Sequence, residues 1–213
     1  MLDLFISRKA CNSYILIQDN KDAILVDPGF NVGNRLLEHI NKLGVNIVAI
    51  LITHAHYDHI TALKDVVDRF PNAVTYISED EVPLLENPKL NLSFFRDDGE
   101  KRILDYVPKN LVTLTDNEEF KVGEYRIKMF KTPFHTIGSA CFYVSKENAL
   151  FSGDTLFYTT IGRTDLPTGS SRTVESSLSK LLTLPLSTKV YPGHGVTTTL
   201  ERERKYNAYL RNI

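Results

Sequence analysis

Apolar residues along this chain come first in short runs and then at helical spacing. LDLFI at 2–6, YILIQ at 14–18 and AILVD at 23–27 are rich in β-branched and aromatic residues, the composition of strands. Asp27-Pro28-Gly29 closes the third run with a turn signal. Leu36, Leu37, Ile40 and Leu43 then fall on one helical face, predicting a helix over 31–43 that Gly44 stops. NIVAILI at 46–52 is apolar without interruption, as a strand buried on both faces requires. Ile60, Leu63, Val66, Val67 and Phe70 outline a single helix ended by Pro71, and AVTYIS at 73–78 is another strand.

A short helical piece near 79–86 leads into a polar stretch, 87–110, punctuated by Pro88, Gly99 and Pro108, which reads as a long loop. Segments 111–115, 119–122, 124–131, 140–145 and 148–152 form a second set of strands with tight turns. A loop over 154–170, a helix over 171–183, a strand at 188–191 and a last helix from about 200 complete the chain. Two sheets with helices outside would bury this many apolar strands in one domain, 1–213. ILVDPG and LFSGDT, each at the end of a strand, hint at an internal duplication.

Composition adds exclusions. With 42% hydrophobic and 24% charged residues, the 213-residue chain is neither disordered nor fibrous. A net charge of −1, with both signs interspersed, gives no basic field for nucleic acid. Cys11 and Cys141 stand far apart and build no disulfide framework, so a reduced cytoplasmic chain is the simplest expectation. No signal peptide is visible, and no apolar run approaches the ~20 residues that span a bilayer.

The chemistry concentrates in THAHYDHI at 53–60, which holds half of the six histidines. His54 and His56 alternate, so in extended backbone their rings project to one side; Asp58 and His59 follow where the next helix begins. His135, Asp154 and His194 each sit where a predicted strand gives way to a loop. Side chains at such junctions can converge while sheets hold the backbone. Nitrogen and carboxylate donors without thiolate suit zinc, iron(II) or manganese(II). His39, alone on its helix, reads as a surface histidine.

The series H54-A-H56-Y-D58-H59, His135, Asp154 and His194 resembles the ligand series of the metallo-β-lactamase superfamily. VDPG at 26–29, FSGDTLF at 151–157, GRTDLP at 162–167 and YPGHG at 191–195 extend the likeness over the whole chain. Glyoxalase II-like hydrolases of the short single-domain type are the most similar group. The resemblance implies an αββα sandwich of two mixed sheets with helices on the outer faces. It implies two divalent metal ions, taken as Zn²⁺ with Fe²⁺ or Mn²⁺ as alternatives. His54, His56 and His135 would hold one ion, Asp58, His59 and His194 the other, and Asp154 would bridge them. Asp27 resembles a supporting aspartate behind the ligand loop, although a turn residue before Pro-Gly reads the same locally. Arg163 and Tyr158 would edge a substrate pocket, Arg163 with an ion pair to Asp165 as its other reading.

Two cations about 3.5–4 Å apart deliver a hydroxide nucleophile near neutral pH and polarise a carbonyl. The expected activity is therefore metal-dependent hydrolysis of an acyl-glutathione or related acyl-thiol, with Asp58 as the catalytic residue that orients the nucleophile. A mononuclear iron persulfide dioxygenase of the same fold is the alternative. An RNA-processing phosphodiesterase is disfavoured by the balanced charge, and no membrane partner is expected. A secreted β-lactamase is disfavoured because such enzymes generally lack a histidine at the position of His59 and often carry Cys at that of Asp154. In TPFHTIGS, Phe134 and Ile137 replace the small residues common in the family beside a ligand.

Overall fold

A computed structural model describes residues 1–6, 11–29, 35–95, 103–211 and 213. The chain divides into two compact units, Met1–Ile77 with Glu81–Thr113, and Ser78–Asp80 with Leu114–Ile213.

The first unit is built on a six-stranded sheet in the order β1-β2-β3-β4-β5-β6. β1 (Leu2–Ile6), β2 (Asn12–Ile17) and β3 (Asp22–Val26) form an antiparallel meander. The chain then crosses through α1 (Arg35–Leu43) to β4 (Asn46–Ile52), which lies parallel to β3. α1 exists because Leu36 and Ile40 repeat at the helical period and bury completely. They pack with Ile15, Leu25 and Ile50 on one face of the sheet, joined by Leu63 and Val66. Leu16, Ile24 and Leu51, which point to the other face, are equally buried. That two-sided burial explains why β4 shows no alternation in the sequence. Truncating Leu36 to alanine would cost about 2–5 kcal/mol, the usual range for a core leucine.

Two departures from the sequence pattern have local causes. The helix expected from Ile60 to Phe70 is two pieces, α2 (Tyr57–Ile60) and α3 (Leu63–Arg69). At the break, the Ala62 N–H donates to the Pro28 carbonyl at 2.9 Å instead of continuing the first helix. β5 (Val74–Ser78) and the short α4 (Val82–Leu85) fall close to expectation. Strand β6 (Leu111–Leu114), however, belongs to the first sheet beside β5, not to the second set of strands. The polar excursion returns the chain to the β5 edge, where the Thr75 N–H donates to the Asn110 carbonyl at 2.8 Å. An edge left open there would be a pairing hazard. The helix expected over 31–43 is described from Arg35; 31–34 lie outside the described residues, as do 96–102 of the excursion.

The second unit carries the other six-stranded sheet, ordered β12-β11-β10-β9-β8-β7. β7 (Glu119–Val122), β8 (Tyr125–Lys131), β9 (Ala140–Val144) and β10 (Ala149–Gly153) run antiparallel in sequence order. α5 (Val174–Leu181) then crosses to β11 (Lys189–Pro192), parallel to β10, and the two-residue β12 (Thr198–Thr199) leads into α6 (Leu200–Tyr206). Leu178 and Leu181 of α5 and Leu200 of α6 pack on Phe130, Leu150 and Val190. In each sheet a run of antiparallel strands, three in the first and four in the second, is followed by a helical crossover to a parallel strand. Asp27 directly follows β3 and Asp154 directly follows β10, in each unit the strand before the crossover, which is where ILVDPG and LFSGDT resemble each other.

Candidate metal centre

In the first unit, β4 delivers the chain to the ligand loop. His54, His56 and His59 are buried, at 1%, 3% and 0% exposure, while Asp58 keeps 21% of its side chain accessible. Ligand atoms of His54 lie within 4.8 Å of those of His56 and His59, and Asp58 stands equally close to His59. The rings of His54 and His59 are 4.0 Å apart, centre to centre.

The loop is held by carboxylates and hydroxyls behind it. Asp27, 2% exposed, accepts the Thr53 N–H at 2.8 Å on Oδ1. Its Oδ2 accepts the Thr53 hydroxyl at 2.7 Å and the His59 Nδ1–H at 2.9 Å. Since the Thr53 hydroxyl gives its one hydrogen to Asp27, its oxygen is left to accept the His54 Nδ1–H at 3.2 Å. Both histidines are thereby fixed with Nε2 as the ring nitrogen that carries a lone pair. The fully buried Glu81 accepts the Ala55 N–H at 2.8 Å, pinning the backbone between His54 and His56. Asp27 sits at φ 49°, a left-handed conformation rare outside glycine. Next along, Gly29 has no room for a side chain. A Cβ there would meet Cys11 Sγ at 2.5 Å and the Asp58 carbonyl oxygen at 2.6 Å.

In the second unit, three more donors converge. His135 Nε2 lies 3.4 Å from Asp154 Oδ2, and His194 Nε2 lies 3.7 Å from Asp154 Oδ1. The Asp154 carboxylate therefore turns one oxygen to each histidine. His135 Nδ1–H donates to the Arg163 carbonyl at 2.8 Å, which again leaves Nε2 as the ring nitrogen with a lone pair. His194 is the most open of the three, with 40% of its side chain exposed, and its ring stands edge-on to Phe157. Gly162 passes so close to Asp154 that a Cβ would lie 1.9 Å from its carbonyl oxygen.

The remaining sequence candidates are placed as follows. The Arg163 guanidinium forms a two-pronged ion pair with Asp165, at 2.7 and 2.8 Å, on an exposed surface. That hydrogen-bonded pairing holds the Asp165 carboxyl down at about 2. Tyr158 is 43% exposed and carries the Arg202 guanidinium over its ring at 3.6 Å. Phe134 is buried and Ile137 is exposed. His39 pairs with Asp3 beside Phe5, away from the other histidines in sequence and bonding. Cys11 and Cys141 are buried free thiols, each pushed up to about 11 chiefly by desolvation, and so poorly nucleophilic near neutrality.

Sequence reasoning missed Thr53, Glu81 and the Arg163 carbonyl. A carbonyl leaves no trace in residue identity. Glu81, an acid at the head of the apolar VPLL helix, was the one detectable signal, since a charge there needs a buried partner.

The donor chemistry fits divalent transition metals. Imidazole nitrogens and carboxylate oxygens cluster within each unit, the donor chemistry of candidate metal-binding groups. The Nδ1 hydrogen bonds of His54, His59 and His135 are the outer support that metal-ligating histidines require. Among the described residues, no helix is long and apolar enough to cross a membrane.

The metallo-β-lactamase superfamily profile matches residues 7–194, and the chain belongs to that superfamily. Its two mixed six-stranded sheets, each carrying helices, match the family's αββα architecture, as the ligand series implied. It is a metal-dependent hydrolase of this class. The chain is 36% identical over 200 residues to a "probable metallo-hydrolase" of Streptococcus pyogenes, covering 93% of this chain and 84% of the relative. A hydroxyacylglutathione hydrolase of Haemophilus influenzae is 30% identical over 202 residues, covering 94% and 93%. Among solved structures, the BLEG-1 B3 metallo-β-lactamase is similar with a TM-score of 0.89 at 36% identity over 99% of each chain. A protein in a di-iron-bound form is similar with a TM-score of 0.81 at 30% identity, covering 96% and 98%.

Proposed function

We propose that this protein is a two-metal thioester hydrolase acting on S-acyl-glutathione or a related acyl-thiol. The observation that carries the reading is the Asp154 carboxylate, with Oδ2 facing His135 and Oδ1 facing His194. In this reading His54, His56 and His135 would hold one ion and Asp58, His59 and His194 the other, with Asp154 as the carboxylate shared between them, as the resemblance implies. When bound, the ions supply an activated water nucleophile and a Lewis acid for the scissile carbonyl. Asp27 keeps His59 in the ligating tautomer. Glu81 and Thr53 fix the loop, so no side chain reorganises as charge develops. Asp58, the accessible carboxylate, would orient the water by accepting a hydrogen bond from it. Tyr158 and Arg163 edge the substrate site, Arg163 offering its cation to a substrate carboxylate beside its pairing with Asp165.

The acyl-thiol substrate is supported by the hydroxyacylglutathione hydrolase relative, which is similar over nearly the full length of both chains. A second reading, hydrolysis of a β-lactam amide, is favoured by the 36% identity to the B3 metallo-β-lactamase. One experiment separates them. Purified protein should hold close to two metal ions per chain and hydrolyse S-lactoylglutathione without oxygen, and Asp58→Ala should slow it by about 100-fold or more. Turnover of nitrocefin with no thioesterase activity would replace the first reading by the second. A single tightly bound iron with oxygen uptake on glutathione persulfide would overturn both in favour of a dioxygenase.

A further inference from the structure

The loop that follows Asp154 touches each second-unit ligand. Phe157 stands against the His194 ring, Gly162 presses on the Asp154 backbone, and the Arg163 carbonyl holds His135. The loop closes on itself through the Leu156–Ile161 bridge and the Phe157 N–H donating to the Thr160 carbonyl. Its tip is strained: Thr159, a β-branched residue, sits at φ 62°. Such an outlier persists only where its surroundings over-determine it.

What holds the tip is a carboxylate on the C-terminal helix. Glu203 of α6 is fully buried, and its two oxygens accept four hydrogen bonds. Oε2 accepts the Thr159 N–H at 2.7 Å and the Asn207 side-chain amide at 3.0 Å. Oε1 accepts the Thr198 hydroxyl at 2.6 Å and the Arg202 guanidinium at 2.9 Å. Asn207 also donates to the Thr160 carbonyl at 3.1 Å, so both sides of the tip are tied to one helix. An ion-paired carboxylate with every acceptor site used is an expensive device for packing alone, because an apolar side chain of similar volume would seal the same space.

We propose that Glu203 is a positioning residue of the metal centre. It holds the strained 154–163 loop so that Asp154, His135 and His194 present their donor atoms together. The inference rests on the two-metal reading above. It makes α6 part of the site's support, because any slackening at Thr159 passes through Phe157 and Gly162 to the ligands.

Glu203→Gln tests it with no change of size, since an amide must place its NH₂ against two donors at one end or the other. Divalent-ion affinity, measured by chelator competition on the apo-protein, should fall about tenfold or more, and the Thr159 amide should exchange faster. Leu181→Ala, a cavity in the same core, should lower Tm while leaving ion affinity unchanged. Asn207→Ala, which keeps the Thr159 bond, should give a smaller affinity loss and serves if Glu203→Gln does not fold. Wild-type ion affinity in a folded Glu203→Gln protein overturns the proposal, as does an equal affinity loss in Leu181→Ala. A wild-type protein that binds no divalent ion would sink the two-metal reading instead. The clamp would then stand or fall on the Thr159 amide exchange alone.

Discussion

Replacing Asp27 by asparagine probes the support of the ligand loop at one atom. The Asp27 carboxylate accepts three hydrogen bonds, one on Oδ1 from the Thr53 N–H and two on Oδ2 from the Thr53 hydroxyl and His59 Nδ1–H. An asparagine must point its NH₂ at one of these two sets. Facing the Thr53 N–H, it sets donor against donor in a place with 2% exposure, a loss of about 1–3 kcal/mol for the buried unsatisfied group. Facing His59, it forces the ring into the other tautomer, with Nδ1 accepting and the hydrogen on Nε2. Nε2 is then no longer a ligand. Either way the ion proposed for Asp58, His59 and His194 should be bound about 10–100-fold more weakly, or about 1.4–2.7 kcal/mol, the range for losing an outer-shell partner. The ion proposed for His54, His56 and His135 should be affected less, although Thr53 also bonds His54. Metal titration followed by mass spectrometry under native conditions reads this as a drop from two ions to one. Two ions bound at wild-type affinity would refute the claim that Asp27 sets the His59 tautomer.

Three further outcomes follow from the same geometry. Gly162→Ala places a Cβ 1.9 Å from the Asp154 carbonyl oxygen, so the backbone beside the Asp154 carboxylate must move. Overpacking of that kind costs about 1–3 kcal/mol, and thermal melting together with a metal-content assay should show both a lower Tm and substoichiometric metal. For the thiols, burial raises Cys11 and Cys141 from 9.0 to about 11, so the unfolded chain deprotonates first. Their contribution is complete below pH 9 and is lost as pH rises from 9 towards 11, by up to about 1.4 kcal/mol per pH unit for each thiol. Denaturant melts across that window should flatten in Cys141→Ala, and an unchanged alkaline slope would contradict the assignment. Arg163→Ala should raise KM for a carboxylate-bearing thioester several-fold with kcat and Tm nearly unchanged, since the Asp165 pair is exposed. An unaltered KM would reduce Arg163 to that ion pair.

Strand and helix positions were legible in the sequence because local periodicity carries them: the 46–52 run and the Leu36–Ile40 spacing have one physical solution each. The candidate ligand series stood out for a different reason. Histidines at alternating positions after an apolar strand are too costly to cluster without a task, and the resemblance supplied the order of the rest. Pairing partners were not legible. β6 was grouped with the wrong sheet because an edge strand of four residues chooses its neighbour through the path of the preceding loop, which no local pattern records. The helix break at Thr61 was hidden as well, since the bond from Ala62 to Pro28 joins residues more than thirty positions apart.

The sequence by itself determined the inventory of candidate metal donors: five imidazoles and two carboxylates in a fixed order, with no thiolate among them. Only the tertiary structure decided how those atoms are prepared. Tautomers depend on what each Nδ1 meets, and here the partners are Asp27, the Thr53 hydroxyl and the Arg163 carbonyl. The orientation of Asp154 depends on backbones packed too closely for a side chain at Gly162, and the loop beyond it hangs from Glu203 on the last helix. Residue identity is a local property and fixes the inventory. Hydrogen-bond geometry between distant segments exists only after folding, and it turns that inventory into a site.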